Sequence, residues 1–291
     1  MVDSFQTDFS TTQKQFESDR MVLSDFPRMY SHLATEQYVT FDTSIFKTGG
    51  RSLLLTWGGL QDRGQLTENP RPFIMTYNMP TEYWGFERFF IPSDFKLSQW
   101  QLLMEMFSGR WLSASDPNIN SYVKRGAPIY FEGRNDPEGT GDLRLVTHMS
   151  DWNYTPDGQS YTRVVHDKVV LSNLVKRGEW FELYYHVKIA QAGICELWFK
   201  SDSVPFTKIW NYQGETRSIS PAGGLMPVDI QVVDHYKRVD EPVSKLYLDY
   251  VRWDVYNFFE EAPPTPPIPK AVLAVGLPFI AGFILMQLGR G

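Results

Sequence analysis

One cysteine, Cys195, stands among 291 residues, so no intrachain disulfide is available and apolar burial has to hold the fold. The thiol falls on the inward phase of an alternating run, where it packs as a small hydrophobe. Positive charge is also scarce: 28 Lys and Arg against 34 Asp and Glu leave a net charge of -6, which excludes the basic surface that a nucleic-acid partner requires. Histidine, aspartate and glutamate never fall in a ligand spacing such as His-Glu-x-x-His, so no metal or other cofactor is expected. A Gly-x-Ser-x-Gly elbow and a phosphate loop are missing as well, which removes serine-hydrolase and nucleotide chemistry. The start, Met1-Val2-Asp3-Ser4-Phe5-Gln6, carries no basic stretch leading into an apolar one, so no signal peptide is read there. No internal repeat and no convincing amphipathic helix is present.

Aromatic residues, in contrast, make up 15% of the chain, with Pro 19 and Gly 21 to supply turns. That profile fits one large all-β domain. The clearest strand pair is Arg177 to Ile189 followed, after Ala192-Gly193, by Ile194 to Lys200. Its period of two puts Phe181, Leu183, Tyr185, Val187 and Ile189 on one face, matched by Cys195, Leu197 and Phe199 across the turn. The other face carries Glu182, Tyr184, His186 and Lys188, then Glu196, Trp198 and Lys200.

Residues 1–36 read as an extended lead-in lying against the sheet, anchored by Phe5, Phe9, Phe16 and Phe26. Residues 37–257 hold the domain. Tyr38 to Phe41 and Arg51 to Trp57 form a hairpin around Lys47-Thr48-Gly49-Gly50. Glu82 to Ile91 is a strand stopped by Pro92, with Phe89 and Ile91 inward and Phe86, Arg88 and Phe90 outward. Trp100 to Phe107 fits helix or strand, and its short length after a strand and a proline favours strand. Further strands are read at 128–131, 142–148, 163–171, 228–236 and 245–255, with a long loop from Ser201 to Gly224. Ten or more short strands without helices imply a two-sheet antiparallel sandwich.

Residues 258–270 form a proline-rich spacer. Residues 271–288 follow as an uncharged run of 18, which at about 1.5 Å per residue approaches the roughly 30 Å apolar thickness of a bilayer. A single C-terminal transmembrane helix, kinked at Pro278, is the leading reading, with a buried core helix as the alternative. Lys270 and Arg290 flank the run and leave its orientation open. The localisation implied is a single-pass membrane protein whose domain is exposed at a cell or virion surface.

Several of these stretches together resemble the concanavalin-like jelly-roll domains of the heparin-lyase and alginate-lyase type of polysaccharide lyase: Tyr83 to Pro92, Trp100 to Phe107, Arg177 to Lys188, Gly193 to Lys200 and Leu246 to Arg252. Laminin-G-like glycan-binding domains share the same order of strands. The resemblance implies a curved sheet with a glycan groove and β-elimination next to a uronate carboxylate. That chemistry needs a group that neutralises the carboxylate, a base and an acid. Carried over residue by residue, it implies Arg88 as the carboxylate binder and His186 and Tyr184 as the acid-base pair. Lys188, Trp198, Glu196 and Lys200 extend the substrate row. Glu105 stands where the family commonly has a glutamine in a Gln-Trp-His type run, and a glutamate there repels a uronate. Asp249 lies where jelly rolls often keep an acidic residue near a calcium or a turn. His148 and His166, on other strands, read as structural.

Three functions follow: a membrane-anchored polysaccharide lyase acting on an acidic glycan, a catalytically silent glycan-binding or adhesion module, and a structural membrane or virion component whose sheet face is covered by a partner. Nearly equal weight falls on the first two.

Overall fold

The computed structural model describes residues 4–17, 20–23, 30–31, 38–57, 73–77, 79–108, 123–134, 136, 138–154, 161–218, 230–234 and 243–259. Of the expected spacer only Phe258 and Phe259 are described, within the unit Met1–Phe259; the rest of it and the expected membrane span lie outside the described residues. Among the described residues no helix is long and apolar enough to cross a membrane.

Among the described residues seventeen strands follow one another: β1 (Ser4–Thr7), β2 (Lys14–Glu17), β3 (Arg20–Leu23), β4 (Tyr30–Ser31), β5 (Val39–Asp42), β6 (Ser52–Trp57), β7 (Phe73–Tyr77), β8 (Glu82–Phe90), β9 (Trp100–Ser108), β10 (Val123–Glu132), β11 (Arg144–Tyr154), β12 (Tyr161–Ser172), β13 (Trp180–Lys188), β14 (Gly193–Ser201), β15 (Thr207–Gly214), β16 (Ile230–Asp234) and β17 (Ser244–Asp254). Two antiparallel sheets form the jelly-roll sandwich. The eight-stranded sheet runs β15-β14-β13-β8-β17-β6-β5 with β1 added on β17, and the six-stranded sheet runs β12-β11-β10-β9-β16-β7. A small third sheet, β2-β3-β4, lies within the lead-in.

The inward phase of each sheet fills the space between them. Phe89, Phe181 and Phe199 stack in sequence from β8, β13 and β14, at centroid spacings of 5.3 and 5.9 Å. Phe131 of β10 meets Phe181 edge-on from the opposite sheet. Each fully buried ring contributes about 2 to 3 kcal/mol of apolar transfer, and this column joins the two layers. Cys195 lies in the same core as a free, buried thiol.

The Trp100 to Phe107 run is a strand, because its residues pair with β10 on one side and β16 on the other. Two expectations need correction. Part of the expected loop from Ser201 to Gly224 is β15, where Trp210 is buried while the alternate Lys208 and Asn211 face water. Polar residues suffice on one side of an edge strand, and that composition disguised it. The lead-in also does more than lie against the sheet: β1 hydrogen-bonds to β17 as a strand of it. Phe9 then turns into the core with φ 61°, held by an Arg51 Nε–H bond to its carbonyl (2.6 Å) and by its own N–H to the Thr7 hydroxyl (3.0 Å). Of the other expected anchors, Phe5 packs against Trp253, while Phe26 and the side chain of Phe16 lie outside the described residues.

Candidate functional site

Register brings the expected row together in three cross-strand ranks on the eight-stranded sheet. Glu182 stands between Arg88 and Lys200, Tyr184 between Phe86 and Trp198, and His186 between Trp84 and Glu196. The ranks are complementary in charge or shape, so a slip of one residue along β13 would break all of them at once.

The same ranks occupy the polar atoms. Arg88 donates to Glu182 (2.9 Å) and to Asp249 (3.2 Å). His186 is buried, stacked on Trp84 at 4.3 Å, and bridges Glu196 and Glu82 through its two nitrogens, at 3.1 Å each. Lys188 pairs with Glu82 at 2.9 Å, and Lys200 with Glu182 at 3.4 Å. Lys208, not singled out from sequence, pairs with Glu196 at 2.8 Å. The Tyr184 hydroxyl donates to Glu182 (3.0 Å); burial and then the Glu182 charge hold this phenol protonated far above its ordinary range. Trp198 is packed by Phe206 and Phe259. The cations of this row thus already hold carboxylates of the chain itself.

Glu105 is elsewhere. It belongs to β9, in the opposite sheet, and its outward phase points to the other surface of the sandwich, so the expected convergence with Arg88, Tyr184 and His186 does not occur. Asp249 is a bulge residue of β17, skipped in the pairing between Leu248 and Tyr250. At the bulge its carboxylate lies on the Arg88 side of the sheet, buried beneath the β5–β6 turn. There it accepts the N–H groups of Lys47 (2.6 Å) and Thr48 (3.0 Å) and the Thr48 hydroxyl (2.7 Å), clamping the β5–β6 turn in which Gly49 and Gly50 supply positive φ. Its oxygens thus serve the turn. Among the described residues no group of side chains is placed to hold a metal ion.

Burial would raise the pKa of Glu82, Glu182 and Glu196, but their paired cations and hydrogen bonds outweigh it and hold all three below the ordinary glutamate range. Depressed carboxylates stabilise the fold above their unfolded pKa of about 4.3 and lose that contribution as pH falls through the folded values. The urea midpoint is therefore expected to be flat from pH 7 to about 5 and to fall steeply below about 4. A Glu182→Gln variant should show a shallower acid limb; an unchanged limb would show that the rank contributes nothing to stability.

The six-stranded sheet carries a different outward pattern. Trp100, Tyr130 and His148 run diagonally across β9, β10 and β11, with centroids 6.5 and 5.7 Å apart and rings near perpendicular. Lys168 of β12 pairs directly with His148 in register, and Arg163 with Trp152, so both cations share that face. Both are exposed and neither makes an ion pair among the described residues. His148 is fully buried, and neither ring nitrogen has a hydrogen-bond partner among the described residues. Burial, with Arg163 and Lys168 nearby, lowers its pKa to about 3. It is a neutral imidazole whose one N–H and one lone pair are uncommitted among the described residues. At the end of this sheet His166 is committed, bonded at 2.9 Å to Asp151, which also holds Arg125 through two bonds of 2.5 and 2.8 Å. From sequence alone His148 has no partner, because the residues that join it lie 18 and 20 positions away on neighbouring strands. The signal available was its outward phase, shared with Tyr130.

No family model matches the chain, and no curated protein matches its sequence. Solved structures do. An alginate lyase, Aly36B, in complex with an alginate tetrasaccharide superposes with a TM-score of 0.53 at 10% identity, over 88% of this chain and 98% of that one. The endo-β-1,4-glucuronan lyase of the fungus Trichoderma reesei superposes with a TM-score of 0.52 at 13% identity, over 80% and 92%. At such identities the likeness is one of fold: the chain has the jelly-roll fold found in polysaccharide lyases.

Proposed function

We propose that this chain recognises an acidic polysaccharide along the diagonal Trp100, Tyr130, His148, Lys168. The observation that carries this reading is the contrast between the two faces. On the eight-stranded sheet the cations of the row are neutralised by the chain's own carboxylates, whereas Lys168 and Arg163 on the six-stranded sheet make no ion pair among the described residues and stand beside an aromatic strip. A uronate chain needs both: rings to stack its pyranose faces and cations to meet its carboxylates. The fold is that of proteins described as acting on alginate and glucuronan, which supports the same substrate class. The row of Arg88, Tyr184 and His186 is better accounted for as a ladder that fixes strand register. Lys168→Ala and Trp100→Ala should each weaken binding to alginate or glucuronan oligosaccharides at least tenfold by calorimetry, while Lys188→Ala leaves it unchanged. Equal losses from the two lysines would overturn the assignment of the face.

A second reading, β-elimination, is favoured by His148 beside Tyr130, its ring nitrogens having no hydrogen-bond partner among the described residues. With Lys168 or Arg163 on the carboxylate, the neutral imidazole takes the proton α to it. The bond from the β-carbon to the glycosidic oxygen breaks as the double bond forms, and Tyr130 protonates the departing oxygen. His148 is closed over in the free domain, so engagement of the polymer has to uncover it. Ultraviolet absorbance of unsaturated uronate product should appear with wild type and vanish in His148→Asn; absorbance that survives this change rules out the assignment.

The run 271–288 is proposed as a single C-terminal membrane anchor, which presents the domain at a cell or virion surface. Its deletion should release the chain from alkali-washed membranes.

A further inference from the structure

On the outer face of the eight-stranded sheet, three rings from β13, β14 and the loop before β15 surround a fourth. Trp198 and Phe206 are parallel within 3° at 6.3 Å, and Tyr184 meets Phe206 edge-on at 4.8 Å. The ring against them is Phe259, perpendicular to Tyr184 at 5.3 Å and tilted 74° to Trp198 at 5.3 Å. Phe259 ends the compact unit. Its backbone N–H is seated on the Asn257 side chain (2.9 Å), while the preceding Phe258 is held separately under Arg252 at 4.0 Å. Its ring can thus leave the box without unpairing a strand of the sheet.

We propose that Tyr184, Trp198 and Phe206 form a second carbohydrate site, for an uncharged sugar ring, which Phe259 holds closed. A pyranose stacks on aromatic faces much as a phenyl ring does, through apolar C–H surface, and needs polar groups around its rim. The rim is present: Lys208 lies 4.6 Å over Trp198 and pairs with Glu196, and Lys200 pairs with Glu182. Those pairings also select the ligand. A rim whose cations already hold carboxylates offers hydroxyl groups donors and acceptors but offers a uronate no unspent positive charge. Occupation by the chain's own Phe259 reduces apparent affinity by the fraction of time the box is open.

The test compares the full chain with Phe259→Ala and with Asn257→Ala, which removes only the side-chain acceptor that seats the pin. Cellohexaose and xylohexaose are titrated by tryptophan emission and calorimetry, with alginate oligosaccharides in parallel and a thermal melt for each variant. Phe259→Ala is expected to bind a neutral oligosaccharide at least tenfold more tightly than wild type, Asn257→Ala to gain less in the same direction, and adding Trp198→Ala to remove the gain. Alginate binding, a property of the opposite face, should not change. If both variants melt within a few degrees of wild type and neither gains affinity, the site does not exist. A gain that survives Trp198→Ala overturns it too, and a loss confined to the alginate arm speaks only against the six-stranded face.

Discussion

Asp249→Ala is expected to lower stability by about 3 to 5 kcal/mol, enough to threaten a domain whose total is roughly 5 to 15 kcal/mol. The carboxylate is fully buried and receives two backbone N–H groups, a hydroxyl and the Arg88 guanidinium. Its removal leaves two amide donors and part of a guanidinium without an acceptor in a space that alanine does not fill, and an uncompensated buried donor costs more than the bond it made was worth. Asp249→Asn keeps an acceptor but not the charge, so its loss should be smaller. Arg88→Ala should fall below Asp249→Ala, since the aspartate keeps three donors. The exposed Lys47–Asp202 pair at 3.1 Å serves as a reference: Lys47→Ala should fall within about 0.5 kcal/mol of wild type. Urea denaturation measures all four, and an Asp249→Ala loss under 1 kcal/mol would show that the turn is held by something else.

The second large effect is predicted for Gly85→Ala. A Cβ on Gly85 would stand 1.9 Å from Cε2 and 2.0 Å from Cζ of Tyr185, the residue opposite it in register on β13. Tyr185 has little room to retreat. It is fully buried, meets Tyr83 edge-on at 6.2 Å, and donates its hydroxyl to Glu87 at 3.1 Å. Overpacking ordinarily costs about 1 to 3 kcal/mol, and this contact falls at the upper end or beyond it. Combining Gly85→Ala with Tyr185→Leu removes the colliding ring, so the double variant should be more stable than the sum of the single losses predicts, by about 1 kcal/mol or more. Strict additivity would mean that the ring moves aside freely.

Both residues show what kind of information the chain carries locally. Gly85 sits in an aromatic strand with nothing beside it in sequence to require a glycine; the requirement comes from a ring 100 positions later. Asp249 reads as one more residue of an alternating strand until a bulge and the β5–β6 turn close over it. By contrast, Phe89 and Ile91 inward and Phe86 and Arg88 outward follow from counting back from Pro92, because a strand sorts its side chains by parity alone. The hairpin from Trp180 to Ser201 is legible for the same reason. β15 was not, since an edge strand needs only half of its residues to be apolar.

By itself the sequence determined the all-β class, the phase of the main strands and the residues that fill the core, since each depends on a period of two and on local turn residues. It also placed Tyr184, His186, Lys188, Glu196, Trp198 and Lys200 on one surface, because a single hairpin carries them. Which strands become neighbours was decided by the tertiary structure, through pairings that no local pattern in the chain announces. That step sent Glu105 and His186, both outward on their own strands, to opposite surfaces of the sandwich. It joined Arg88 to Glu182 and Asp249, and it brought Tyr130 and Lys168 to His148. Parity gives a side chain its direction from its own sheet; only the order of strands in the two sheets gives it company.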